Sequence, residues 1–218
     1  MRIARLPGVF RPRSDSWLLA SVLRRQDRVQ GGDVLDVCTG SGLIAVTAAL
    51  AGARSVCAVD VSLRAVLTTR LNARLNCVHV EALRGDMLDA VPGRRFDVVA
   101  ANPPYLPSEE DGLPARGTAR HTEAGGSGRV LLDRLIADAA GHLRPGGLLL
   151  VTHSSVIGEE ETLDRMRAAG LEPAVAERRS GTLGPLLAER ARELEAKGML
   201  APGERREDVL VLVGSLTG

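Results

Sequence analysis

Short apolar runs alternate along this chain with segments whose apolar residues recur at helical spacing. The runs predict seven strands, at residues 33–38, 55–60, 78–82, 96–101, 148–152, 172–178 and 208–213. The segments between them predict helices at residues 43–50, 63–75, 129–143, 159–169 and 186–197. Strands that alternate with helices in this way indicate an α/β fold with one mostly parallel sheet.

The predicted strands are rich in valine, leucine and alanine throughout, which is typical of strands covered by helices on both faces. A length of 218 residues suits one large domain. We expect an N-terminal segment and helix at residues 1–30 and the main domain at 31–218. Two stretches look inserted: a polar loop rich in glycine and proline at residues 104–127, and a charged insertion at 184–202.

Composition disfavours nucleic acid as a partner. The formal net charge is +1, and no run of lysine or arginine marks a nucleic-acid-binding tail. The chain has only four aromatic residues, namely Phe10, Trp17, Phe96 and Tyr105, which leaves few platforms on which bases could stack.

The cysteines and histidines show no spacing typical of a metal site, and no bound metal is expected. Cys38, Cys57 and Cys77 each lie in or beside an apolar run, so we expect buried, reduced thiols. No apolar run has the length of a membrane span, and the N-terminus has no apolar signal core. We therefore expect a soluble, cytoplasmic protein.

The tetrapeptide Asn102-Pro103-Pro104-Tyr105 directly follows the predicted strand at residues 96–101. Proline cannot donate to a strand ladder, so the strand ends here and leaves Asn102 at its carboxyl edge, where open α/β sheets bind ligands. The side-chain carbonyl of Asn102 and the main-chain carbonyl of Pro103 could accept hydrogen bonds from a planar NH2 group, and Tyr105 could stack on it. The alternative is a proline-rich loop whose asparagine starts a turn.

A second set of candidate ligand-binding residues lies where the first predicted strand meets its helix. Gly40 and Gly42 allow a ligand to approach the backbone closely. Asp60, at the end of the next predicted strand, could accept hydrogen bonds from a ribose diol. Because Gly40-x-Gly42-x-x-Ala45 followed by an acid also resembles a dinucleotide fingerprint, a NAD-dependent enzyme is an alternative.

Two further acids favour a cationic cofactor over a dinucleotide. Asp36 comes just before the glycines, where a carboxylate could accept from an ammonium group but would repel a pyrophosphate. Asp86 follows the third predicted strand, where it could accept from an adenine amino group while Met87 covers the ring. Three acids on one edge of the sheet therefore indicate S-adenosyl-L-methionine.

The order and spacing of these motifs, together with Asn102-Pro103-Pro104-Tyr105, resemble the HemK/PrmC family of class I methyltransferases. That family methylates the glutamine side-chain amide in the Gly-Gly-Gln motif of peptide chain release factors. The resemblance implies a Rossmann-like domain with an antiparallel last strand, in which Asn102, Pro103, Pro104 and Tyr105 hold the target amide. The implied cofactor-binding residues are Asp36, Thr39, Gly40, Gly42, Asp60, Val61, Asp86, Met87 and Asn102.

The resemblance extends to the N-terminal stretch and to the loop after the tetrapeptide. Residues 8–19 are similar to the Val-Tyr-x-Pro-x-x-Asp-Thr-x-Leu-Leu segment of the shorter family members. The resemblance implies that residues 8–19 close over the site, with substrate-access roles for Arg11, Pro12, Asp15 and Trp17. The simpler interpretation of Asp15, or of Ser14 before it, is a helix N-cap. Residues 120–129 resemble a Gly-Gly-x-x-Gly-Arg segment.

Departures from the family leave the methyl acceptor open. The helical N-terminal domain of the longer bacterial members is not expected here, so the chain resembles the shorter archaeal and eukaryotic-like branch, which works with a small zinc-binding subunit. A release factor is the expected acceptor. The alternatives are an amide or amine of a peptide or natural product and, less favoured, an adenine amino group in nucleic acid. A non-catalytic binding module on the same fold is a further alternative.

Overall fold

The computed structural model describes residues 1–108, 111–113 and 122–217, which build one seven-stranded sheet. The strands are β1 Asp33–Val37, β2 Ser55–Asp60, β3 Glu81–Arg84, β4 Phe96–Ala101, β5 Leu143–Ser154, β6 Leu171–Thr182 and β7 Arg206–Leu216. Their order across the sheet is β3-β2-β1-β4-β5-β7-β6. β7 is antiparallel to both of its neighbours, and the pairs among β1 to β5 are parallel. The predicted fold, a mostly parallel sheet with an antiparallel last strand, is confirmed.

The described helices cover both faces of this sheet. They are α1 Ser14–Leu23, α2 Leu43–Leu50, α3 Leu63–Leu75, α4 Val130–Ala139, α5 Glu159–Ala168, α6 Pro185–Glu189 and α7 Ala191–Ala196. Successive side chains of β4 point to opposite faces of the sheet. Val98 packs in one core cluster with Leu19 of α1, and Val99 packs in the other with Leu132 of α4. Because both faces are buried, the central strands are apolar at nearly every position.

Several elements differ from their predicted bounds: β5 begins at Leu143 rather than at residue 148, and the helix predicted at residues 129–143 ends at Ala139. β3 begins at Glu81 rather than at residue 78, because the chain first turns after α3 through Cys77, whose φ is +54°. Cys77 is consequently exposed, not buried as expected. The helix predicted at residues 186–197 is two short helices that break at Arg190, which has non-helical backbone angles.

The topology gathers several chain segments at one edge of the sheet. β1, β2 and β4 are parallel neighbours, so their carboxyl ends meet there. Because β7 is antiparallel to β5, its first residues lie at the same edge, with Val209 paired to Ser154 at the end of β5. No helix in the described part of the chain is long and apolar enough to cross a membrane.

Candidate functional site

A cavity of about 380 Å³ lies at this edge of the sheet. The sequence-predicted residues that line it are Pro12, Asp15, Asp36, Thr39, Gly40, Asp60, Val61, Asp86, Met87, Asn102, Pro103, Pro104 and Tyr105. Arg11, Trp17 and Gly42 are not part of the lining. Within the predicted loop at 104–127, residues 109–110 and 114–121 lie outside the described residues, and so does the start of the 120–129 segment.

Asn102 is held in one orientation by the start of α1. Its Nδ2 donates to Oγ of Ser16 at 2.9 Å and to Oδ2 of Asp15 at 3.3 Å. A carboxylate only accepts hydrogen bonds, so the amide turns its nitrogen towards α1. Its Oδ1 atom is buried and accepts no hydrogen bond from any described residue. An unmet buried acceptor costs about 1–3 kcal/mol, so this oxygen is a ready acceptor for a ligand N–H.

The side chain of Tyr105 is also held by Asp15. Its hydroxyl donates to Oδ2 of Asp15 at 3.1 Å. Burial, together with the negative charges of Asp15 and Glu207, raises the pKa of Tyr105 well above its usual value, so the phenol is neutral. Asp15 does not cap α1: the N-cap residue is Arg13, which makes no side-chain capping bond. The helix N-cap interpretation of Asp15 is wrong, and its carboxylate instead orients Asn102 and Tyr105.

Arg11 and Trp17 lie on either side of Asp15 in the sequence, but neither of them lines the cavity. Both side chains are exposed, with Trp17 retaining 47% of its accessible surface on the outer side of α1. Of the four residues predicted to have substrate-access roles, Pro12 and Asp15 line the cavity, and the same segment adds Phe10, Arg13, Ser14 and Ser16 to its wall.

The two glycines of the turn after β1 have different surroundings. A Cβ on Gly42 (φ +79°) would lie 2.8 Å from Cγ2 of Thr69 on α3, so this glycine allows α2 and α3 to pack closely. A Cβ on Gly40 (φ +54°) would meet nothing nearer than the carbonyl oxygen of Cys38, at 4.0 Å. Gly40 therefore presents open backbone to the cavity, as an approaching ligand requires.

Asp36 is a buried acid with an altered protonation equilibrium. Its Oδ2 accepts from Oγ1 of Thr39 at 2.5 Å and from the main-chain nitrogen of Ala45 at 3.0 Å. Desolvation raises the pKa of Asp36 to about 7, and the charge of Asp60 adds to this effect. A cationic group in the cavity would favour the ionised form.

Asp60 links the glycine turn to the start of α3. Its Oδ2 accepts from the main-chain nitrogen of Gly40 and its Oδ1 from that of Ser62, both at 2.9 Å. These bonds fix a carboxylate in the cavity wall at the end of β2, next to the end of β1. A fixed acceptor at this place suits the hydroxyl groups of a ribose.

Asp86 and Met87, which follow β3, also line the cavity. Asp86 is half exposed and bonds to Arg134 at 2.7 Å, a partner that sequence patterns did not reveal. Met87 is buried with φ at +47°. Among the described non-glycine residues, positive φ occurs at Cys38, Cys77 and Met87, and two of these three line the cavity. Backbone strain concentrated at a cavity is typical of ligand-binding sites.

The segment at residues 184–202 packs on the described parts of the 104–127 loop, and both contribute to the cavity wall. Gly184, Pro185, Leu186 and Leu187 belong to the lining. Arg190 donates to the carbonyl of Pro107 at 2.5 Å and forms an ion pair with Glu123. Lys197 donates to the carbonyl of Ser108 at 2.7 Å. The insertion at 184–202 thus holds both described ends of the 104–127 loop.

These residues fit S-adenosylmethionine. The bare backbone at Gly40 admits close approach, the buried Asp36 suits an ammonium group, and the fixed carboxylate of Asp60 suits a ribose. No phosphate-binding cation is needed for this ligand, in contrast to a dinucleotide.

Comparison with known proteins agrees with this geometry. The family model described as Methyltransferase small domain matches residues 1–115. A Methanocaldococcus jannaschii protein, provisionally named a protein N5-glutamine methyltransferase, is 35% identical over 172 residues, covering 79% of this chain and 85% of that protein. The release factor glutamine methyltransferase of Moorella thermoacetica is 39% identical over 173 residues, covering 75% of this chain. The chain spans 60% of that relative's length.

Solved structures share the fold at low sequence identity. The E. cuniculi Mtq2–Trm112 complex, which methylates the translation termination factor eRF1, superposes with a TM-score of 0.67 at 22% identity, covering 96% of this chain and 99% of that chain. The T. thermophilus 16S rRNA N2 G1207 methyltransferase, solved with AdoMet and guanosine, gives 0.62 at 22% identity, covering 98% of this chain and 46% of that chain. These comparisons give the NAD-dependent alternative no support. The chain belongs to the protein glutamine methyltransferase family, whose methyl donor is S-adenosylmethionine.

Proposed function

We propose that this protein methylates the side-chain amide nitrogen of a glutamine, and that the glutamine lies in the Gly-Gly-Gln motif of a peptide chain release factor. The observation that carries the proposal is the buried Oδ1 of Asn102 in the cavity wall, which accepts no hydrogen bond from the described residues. Asp15 and Ser16 hold this side chain so that only its acceptor is left for a ligand. The similarity to glutamine methyltransferases supports the choice of an amide.

An amide nitrogen is a weak nucleophile because its lone pair is delocalised. Oδ1 of Asn102 and the main-chain carbonyl of Pro103 would accept its two N–H groups, which aims the nitrogen and increases its electron density. The ring of Tyr105 would pack on the flat face of the amide. No residue has to remove a proton beforehand, because the proton can leave after transfer.

The remaining cavity residues would hold the methyl donor. S-adenosylmethionine supplies a methyl group on a sulfonium, whose C–S bond breaks as the N–C bond forms. The protein therefore mainly positions the reactants and excludes water. Asp36 would accept from the ammonium group and Asp60 from the ribose. Asp86 would accept from the adenine amino group beside Met87, and Thr39, Gly40 and Val61 would line the same pocket.

Labelled methyl transfer tests the proposal. The protein is incubated with methyl-labelled S-adenosylmethionine and a purified release factor, and the label is mapped by mass spectrometry. A control release factor carries glutamate in place of the Gly-Gly-Gln glutamine. We expect label on that glutamine and none on the control. Label on another residue, or transfer only to a peptide or small amide, would contradict the release factor as acceptor.

We infer further that a small activator subunit binds α3. Four leucines on one side of this helix, Leu63, Leu67, Leu71 and Leu75, keep between 38% and 51% of their surface exposed. The neighbouring β3 is an edge strand of the sheet. An apolar stripe of this kind is typical of a surface that a partner covers. The similar Mtq2 chain was solved as a complex with Trm112.

Substitution within the stripe tests this partner. Leu67→Lys should abolish co-purification with a co-expressed small activator subunit, while Leu50→Lys, at an equally exposed leucine of α2, should not. Full methyl transfer by the purified chain alone, unchanged when the subunit is added, would contradict the inference.

A further inference from the structure

Glu207 lies in the wall of the same cavity as Asn102, although it is 105 residues further along the chain. It is the second residue of β7, and the antiparallel direction of that strand brings it to the carboxyl edge of β4 and β5. The residue is 9% exposed. A glutamate is rarely buried to this degree unless its carboxylate oxygens accept hydrogen bonds or form an ion pair.

Only one oxygen of this carboxylate has a partner in the described structure. Oε1 accepts from the main-chain nitrogen of Gly184 at 2.6 Å, whereas Oε2 is buried and accepts no hydrogen bond. The described residues with a buried side-chain atom that makes no hydrogen bond are Asn102, Arg129, His153, Glu193 and Glu207, and in Arg129 and Glu193 that atom forms an ion pair. Of these five, only Asn102 and Glu207 line the cavity.

Both residues with an unmet acceptor line the cavity together with Tyr105. Asn102 is tied to it through Asp15, and the charge of Glu207 contributes to the raised pKa of its phenol. Two buried acceptors in one cavity, neither with a hydrogen-bond donor among the described residues, indicate a ligand that brings at least two separate donors.

We propose that Oε2 of Glu207 accepts a hydrogen bond from a main-chain N–H of the acceptor peptide, beside the glutamine whose amide Asn102 holds. This inference rests on the proposed function. Leu106, Leu186 and Val209 line the cavity near these elements, and apolar walls suit an uncharged peptide backbone rather than a cationic side chain. Glycines beside the target glutamine would let the backbone come within reach of the carboxylate.

Glu207→Gln separates this role from a structural one. The substituted amide keeps an oxygen for the N–H of Gly184 but replaces Oε2 by an NH2 group, which cannot accept. We expect the KM for a Gly-Gly-Gln peptide to rise at least tenfold. The kcat, the Kd of S-adenosylmethionine and the melting temperature should stay close to those of the unchanged protein. Glu189→Gln, at an exposed acid of α6, is the matched control and should change nothing.

Peptides with one N-methylated main-chain nitrogen at a time provide a second test without altering the protein. At one main-chain position, N-methylation should raise the KM as much as Glu207→Gln does. Combining that peptide with the Glu207→Gln variant should raise the KM no further. An unchanged KM for Glu207→Gln, or additive losses at every position, would overturn the inference alone. If the unchanged protein methylates neither a glutamine peptide nor the release factor, the proposed function and this inference fail together.

Discussion

Oδ2 of Asp15 lies 3.3 Å from Nδ2 of Asn102, a residue 87 positions later in the chain. The contact joins the first turn of α1 to the end of β4, so the N-terminal segment determines which way the Asn102 amide faces. Because Tyr105 donates to the same carboxylate oxygen, one buried acid orients two of the four residues of the tetrapeptide.

Asp15→Asn should reverse that orientation. The new amide group would place a donor opposite Nδ2 of Asn102, which favours a flip that turns the Asn102 nitrogen towards the substrate. We expect kcat to fall on the order of 100-fold, as misplaced reacting groups typically cause. The Kd of S-adenosylmethionine should change little. Arg11→Ala, at the exposed neighbour outside the cavity, is the control, and an equal loss of turnover there would refute the explanation.

The two glycines of the β1–α2 turn should respond differently to alanine. Gly42→Ala places a Cβ 2.8 Å from Thr69 at positive φ, so it should destabilise the fold by about 1–3 kcal/mol. In Gly40→Ala the new Cβ has open space around it, so this substitution should weaken cofactor binding more than it destabilises the fold. Thermal unfolding and calorimetric titration with S-adenosylmethionine would measure both quantities. Identical profiles for the two variants would contradict the separate roles.

Cofactor affinity should depend on pH through Asp36. Its pKa of about 7 means that the free protein holds a proton on this carboxyl at pH 6. Binding an ammonium group requires the carboxylate, so the proton must be released. The Kd should therefore fall about fivefold as pH rises from 6 to 7 and about tenfold by pH 8, above which it levels off. Asp36→Asn should bind more weakly and lose this dependence. A Kd that is flat from pH 6 to pH 8 in the unchanged protein would exclude the ammonium contact.

The same group should weaken the unliganded fold as pH rises. The folded-state pKa of Asp36 lies above the usual 3.8, so the protonated form is favoured in the folded protein. Its contribution to the free energy of unfolding is complete below about pH 4 and declines as pH rises through about 7. The difference in melting temperature between the unchanged protein and Asp36→Asn should shift in favour of the variant over this range. No such shift would mean that Asp36 titrates normally.

Much of the site could be predicted because it depends on local sequence. Asn102 directly follows an apolar strand, and Asp36 and Asp60 lie in the last two residues of one. Parallel topology brings the ends of such strands together without any need to know side-chain contacts. The prolines after Asn102 mark the end of β4 in the same local way.

What the sequence did not reveal depends on long-range packing. Ser16 bonds to Asn102, a residue 86 positions later in the chain. Gly42 is needed because a Cβ at its position would collide with Thr69. Glu207 could have been found from the expected direction of the last strand, since an antiparallel strand starts at the edge where the others end. β3 begins later than predicted because residues 78–80, whose apolar pattern resembles a strand, belong to the segment that follows the turn at Cys77.

Arg190 should matter for the acceptor rather than for the cofactor. It holds the carbonyl of Pro107 and the carboxylate of Glu123, so Arg190→Ala should loosen the loop beside the cavity. We expect a several-fold rise in the KM of the acceptor with an unchanged Kd for S-adenosylmethionine. Arg192→Ala, at an exposed arginine of α7, is the matched control. An unchanged KM for Arg190→Ala would show that the insertion does not shape the acceptor site.

The most direct test of the central claim is to compare turnover and cofactor affinity in Asn102→Ala. Labelled methyl transfer to a release factor gives kcat, and calorimetry gives the Kd of S-adenosylmethionine for the same preparation. If Asn102 orients the target amide, kcat should fall on the order of 100-fold or more while the Kd rises far less. Equal losses in both quantities would contradict the orienting role and would make Asn102 a cofactor-binding residue only.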